Sequence, residues 1–89
     1  MKYSDLLHAC SSTTIDRSTE YGDPIETHEN AAKLATTVLG REFSGRDVVM
    51  IMHLVKLSRM RKSPGNLDHY LDAINFLSYA ADFATEEPK

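Results

Sequence analysis

A single cysteine, Cys10, stands in a chain of 89 residues, which leaves neither an internal disulfide nor a cysteine-based zinc site open to it. It reads as a small buried hydrophobe rather than a nucleophile. Positive charge is also scarce: ten Lys and Arg face thirteen Asp and Glu, for a net charge of −3 and a pI near 5.7. That balance argues against duplex nucleic acid as a partner, because phosphate backbones are held largely by basic surface. A small anion held by a few local cations stays open. No apolar run is long enough to span a bilayer, and Met1-Lys2-Tyr3-Ser4 does not begin a signal peptide. The expectation is a cytosolic protein without a membrane partner. Strand-like alternation, internal repeats and low-complexity linkers are missing too, so the chain reads as one all-α domain over residues 1–89.

What is present is a series of helix signals. Ser4 with Asp5-Leu6-Leu7-His8-Ala9-Cys10 predicts a short N-terminal helix that ends in the Ser11-Ser12-Thr13-Thr14 run. Arg17 to Asp23 carries no helical period and reads as a loop leading to Tyr21-Gly22-Asp23-Pro24, so residues 1–23 form a helix and a lead-in. Asp23 is an N-cap, Pro24 the first helical residue, and Glu26 closes a box-like cap. The helix that follows spans about 24–39, with Ile25, Ala32, Leu34, Ala35, Val38 and Leu39 as its apolar stripe and Gly40 as its stop. Ser44 with Asp47 starts a second helix, about 45–62, whose run from Val48 to Met60 is apolar around much of its circumference. Such a helix is central and has surface left for a partner subunit. Pro64-Gly65 ends it, Asn66 caps a third main helix over about 67–85, and residues 86–89 read as a frayed tail. A 10.0 kDa chain buries a modest share of its surface, so a homo-oligomeric helical bundle is expected around the three-helix core of residues 24–85.

Opposed charges frame the last hairpin. Lys56 and Arg59 precede the Ser63-Pro64-Gly65-Asn66 break, and Asp68 and Asp72 follow it. Antiparallel helices joined by so short a turn bring Arg59 near Asp68 and Lys56 toward Asp72. Asp68 and Asp72 repel each other one turn apart, which calls for a compensating cation. The set is either a pair of interhelical ion pairs or half of a phosphate and metal site. For the second, Glu26 and Glu29 supply another acidic pair, and Mg²⁺ takes carboxylates together with water and substrate phosphates. The four histidines at 8, 28, 53 and 69 lack the i, i+4 pairing of a helical zinc site. His28 is a possible hydrogen-bond donor to a ligand, Tyr21 either stacks on a base or anchors the loop, and Arg17 reaches either an anion or exposed carbonyls at a helix end.

The order Arg17-x-x-x-Tyr21-Gly22-Asp23-Pro24-x-Glu26-x-His28, Asp47-Val48-Val49-Met50-x-Met52, Leu54-x-Lys56-x-x-Arg59 and Asp68-x-Tyr70-x-Asp72-Ala73 resembles a small, phage-encoded all-α family of uncharacterised domains. The resemblance runs from Arg17 to Tyr79. Its last part, Lys-x-x-Arg followed by Asp-x-x-x-Asp, is similar to phage proteins grouped with MazG-like nucleotide pyrophosphohydrolases. Those enzymes carry Glu-x-x-Glu and a later Glu-x-x-Asp around Mg²⁺; here the first is Glu26-x-x-Glu29 and the second is the wider Asp68-x-x-x-Asp72. The resemblance implies a nucleotide or cyclic-nucleotide ligand on Arg17, Tyr21, His28, Lys56 and Arg59. If the protein is an enzyme, it implies Mg²⁺ on Glu26, Glu29, Asp68 and Asp72, with Glu26 and Asp72 as the catalytic carboxylates. The alternatives are a non-catalytic sponge that sequesters a nucleotide signal of host immunity, and a structural protein whose charges serve only the fold.

Overall fold

The computed structural model describes residues 1–86 as four helices: α1 (Tyr3–Tyr21), α2 (Pro24–Leu39), α3 (Gly45–Lys62) and α4 (Leu67–Glu86). Three of them start and stop where the local chemistry directs. The Asp23 carboxylate accepts the Ile25 N–H at 3.0 Å and caps α2, while Gly40, in the left-handed region at φ 70°, donates its N–H to Thr36 O to end it. Glu26 makes no return bond to this cap among the described residues. At α3 the reciprocal box does form: the Asp47 N–H donates to Ser44 Oγ at 3.1 Å, and the Ser44 N–H donates to Asp47 Oδ2 at 2.9 Å. Asn66 Oδ1 accepts the Asp68 N–H at 3.1 Å and opens α4, and Tyr70 Oη donates to Pro64 O at 2.8 Å, tying the turn to the new helix.

The N-terminal segment differs from expectation. In place of a short helix and an irregular lead-in, α1 is one 19-residue helix that begins at Tyr3, with Lys2 at the N-cap position and no side-chain cap. The hydroxyls expected to break it are absorbed within it. Thr14 Oγ1 donates to Cys10 O at 2.9 Å and Thr19 Oγ1 to Ile15 O at 3.2 Å, the back-bonding that lets such residues sit inside a helix. Contacts with α4 supply what local propensity lacks: the Cys10 thiol lies 3.8 Å from Leu71 O, and Arg17 pairs with Asp72. Only Gly22, at φ 87°, interrupts the path into α2, a backbone angle that strains any residue with a Cβ.

The α3–α4 hairpin is the centre, with α1 packed on α4 and α2 across α3. Its core is built of small residues: Cys10, Ala32, Val49, Ala73 and Ala80 are buried. Leu34, Val38 and Leu39, expected on the buried stripe of α2, are exposed, because the inward phase of that helix runs instead through Ile25, His28 and Ala32. Glu86, expected to start a frayed tail, is instead the last residue of α4, and the rest of that tail, 87–89, lies outside the described residues. Among the described residues no helix is long and apolar enough to cross a membrane.

Candidate functional site

Asp72 is the electrostatic pivot of the fold. It sits one turn into α4, 8% exposed, where helical spacing aims it between the C-terminal half of α1 and the middle of α3. Oδ1 accepts from Arg17 Nη1 at 2.9 Å and Oδ2 pairs with Lys56 Nζ at 2.9 Å. Burial alone pushes the carboxyl upward; the hydrogen bonds from Lys56 and Arg17, with their charges, outweigh it and hold the carboxyl below its ordinary value. The two cations are not alike. The Lys56 side chain is 14% exposed and the Arg17 side chain 48%, so Lys56 is committed to the buried carboxylate while about half of the Arg17 side chain stays in contact with solvent. One carboxylate between two cations leaves a local excess of one positive charge.

Beside Arg17 opens a groove of about 520 Å³, where the end of α1 and the start of α2 stand over the α3–α4 hairpin. Its floor and far wall are apolar, formed by Ala31, Val48, Met52 and Phe76, and Tyr21 stands at its exposed rim. His28, Phe76 and Tyr79 form an aromatic cluster along it: His28 meets Phe76 edge-on at 5.8 Å and Tyr79 at 6.0 Å, and Phe76 meets Tyr79 edge-on at 6.1 Å. The His28 ring is oriented by its Nδ1, 2.6 Å from Pro24 O. A carbonyl oxygen only accepts, so Nδ1 carries the proton, and in the neutral ring Nε2 is an acceptor. Tyr79 Oη lies 3.5 Å from Thr14 Oγ1, joining the cluster to α1.

The residues singled out from sequence therefore divide. Arg17, Tyr21 and His28, distant in the chain from the hairpin, share the groove, whereas Lys56 does not line it and is spent on Asp72, the carboxylate that also holds Arg17. Arg59 lies outside. It and Asp68 are exposed and form no ion pair among the described residues, because the inward face of α3 passes from Lys56 to Met60 and leaves Arg59 on the solvent side. Glu26 and Glu29 are exposed on α2. Mg²⁺ does not fit the expected donors: both Asp72 oxygens are held by cations, and no cluster of three or more His, Cys, Asp or Glu among the described residues is arranged to hold a metal. Phe76 and Tyr79, not singled out from the sequence as site residues, line the groove as well. Their spacing of four and seven from Asp72 places all three along one face of α4, a pattern that could have drawn attention to them. Cys10 is buried, and burial pushes its thiol up, away from the reactive thiolate.

The sequence model of one family, described as a domain of unknown function, DUF6378, matches residues 5–84. Neither a curated protein nor a solved structure matches the chain.

Proposed function

For a chain that belongs to the DUF6378 family of domains of unknown function, we propose that the groove beside Arg17 binds a nucleotide and performs no chemistry on it. The observation that carries this reading is the joining of an apolar and aromatic wall to one half-exposed arginine at the same opening. A base enters against Phe76, Tyr79 and His28, whose faces accept any heterocycle, while the phosphate meets the free edge of Arg17. Charge counting narrows the ligand. Asp72 cancels one of its two cations, so the site matches one phosphate better than the four charges of a triphosphate, and a mononucleotide or cyclic nucleotide is the natural occupant. The resemblance to phage domains extends this to sequestration of a nucleotide signal. Hydrolysis by the MazG-like route has less to stand on, since Glu26, Glu29, Asp68 and Asp72 do not gather and Asp72 holds the cations in place.

A thermal-shift series with a mononucleotide, the matching triphosphate and a cyclic dinucleotide, with and without Mg²⁺, tests the reading. Saturation at about 100 times Kd adds about 2.7 kcal/mol to stability and raises the Tm by several degrees. The monophosphate or cyclic species is expected to produce that rise without Mg²⁺, to be recovered intact, and to lose its effect in Arg17→Gln. An unmoved wild-type Tm across the series would overturn nucleotide binding, and conversion of the triphosphate to a monophosphate would overturn the non-catalytic reading. A second reading rests on Asp72 itself: with both oxygens engaged, the Arg17–Asp72–Lys56 set serves only as an interhelical clamp.

A further inference from the structure

The accessible surface is 6511 Å², whereas a compact monomer of 10.0 kDa exposes about 5,200 Å². The radius of gyration, 14.0 Å, likewise exceeds the value of about 12 Å for a domain of this length. The excess area, about 1,300 Å², is more than the roughly 800 Å² that each partner contributes to a standard interface. Four of the exposed large apolar side chains lie close together on the central helix. Ile51 is 48% exposed and Leu54 57%, and Val55 and Leu57 flank them.

These residues belong to a stripe with a definite polarity. Asp47, Ile51, Leu54, Ser58 and Arg61 follow at intervals of four and three, the spacing of a helix–helix seam, and all five are exposed. Leu54 stands at the middle, with an acidic end seven residues before it and a basic end seven residues after it. A two-fold axis through Leu54 makes that order complementary to itself. Leu54 meets Leu54 of a second copy, Ile51 packs over the small Ser58, and Asp47 faces Arg61 at both ends. Arg61 forms no ion pair within the chain among the described residues, and Asp47 spends only Oδ2 on its capping bond. The parallel arrangement would place like charges together at each end.

We infer that the outward face of α3 docks against the same face of a second copy of this chain, antiparallel and centred on Leu54. The groove beside Arg17 is not part of this surface, so the inference stands independently of the proposed function. Light scattering behind size exclusion, over a range of concentrations, is expected to give twice the 10.0 kDa chain mass. Leu54→Lys sets two ammonium groups on the axis and is expected to yield a monomer with unchanged helicity, while Leu34→Lys, at an exposed position of α2, leaves the dimer intact. Leu54→Cys is expected to form an intermolecular disulfide on mild oxidation, which the buried Cys10 of the wild type does not. Should Leu54→Lys fail to fold, the cysteine variant decides. A wild-type monomer at every concentration would overturn the dimer and leave the face to a different protein, and a dimer that survives Leu54→Lys or does not cross-link through Cys at position 54 would overturn this interface.

Discussion

Replacing Asp72 with alanine is expected to cost far more than removing either of its partners. The carboxylate is nearly inaccessible, and Lys56 beneath it is almost as deep. Without Asp72, Lys56 is left as a buried ammonium with no counter-charge, the situation that makes breaking one side of a buried pair cost about 3 to 5 kcal/mol. Arg17 is half exposed, so solvent screens its share, and Arg17→Ala is expected to cost at most about 1 kcal/mol. Lys56→Ala falls between them, because Asp72 keeps Arg17. For a domain of this length the whole folding free energy is about 4 to 13 kcal/mol, so Asp72→Ala removes a large fraction of it. With about 4 to 8 °C of Tm per kcal/mol in small domains, the drop is expected to exceed about 12 °C. Urea titrations followed by far-UV circular dichroism, run on the three variants and on the Arg17→Ala/Lys56→Ala double variant, measure this order directly. The reasoning fails if Asp72→Ala costs no more than Arg17→Ala, or if the Arg17 and Lys56 losses add independently although both cations share one carboxylate.

The same residue sets an acid limit. Its carboxyl is held below the ordinary value in the folded chain, so its contribution is fully present above the unfolded value of about 3.9 and is lost as pH falls through the lower folded value. Asp72→Asn is therefore expected to flatten the fall of stability in that acidic window; an unchanged slope in urea midpoints against pH would show that other carboxylates govern it. At the start of α3, a Cβ on Gly45 would lie 2.6 Å from both Cε1 and Cζ of Phe83. Gly45→Ala is expected to destabilise by about 1 to 3 kcal/mol through overpacking, despite the better helix propensity of alanine, and a higher Tm for this variant would show that the ring yields without cost.

Legibility followed the range of the interactions. The starts of α2, α3 and α4 are set by residues within three or four positions of one another: Asp23 with Ile25, Ser44 with Asp47, Asn66 with Asp68. Each can be read from neighbouring letters. The long α1 could not be, because Ser11-Ser12-Thr13-Thr14 and the stretch after it favour breaks locally and are held helical by Leu71, Asp72 and Tyr79, more than fifty residues away. Of the ion pairs expected in the hairpin, Lys56 with Asp72 forms and Arg59 with Asp68 does not. Spacing brought both pairs close in sequence register, and only the rotation of α3 about its axis distinguishes them.

The chain by itself determines an all-α domain and the ends of three helices, since these depend on capping bonds and helical periodicity that act over one or two turns. Tertiary structure decides that Arg17 answers Asp72 and that Tyr21 and His28 line the same groove as Phe76 and Tyr79. It also leaves no three of Glu26, Glu29, Asp68 and Asp72 gathered in one place. Such outcomes depend on helix rotation and crossing, which follow from how small core residues such as Ala32, Val49, Ala73 and Ala80 let the helices approach. No local spacing records that approach, and so the groove and the fold's central ionic clamp become one structure only when all four helices are in place.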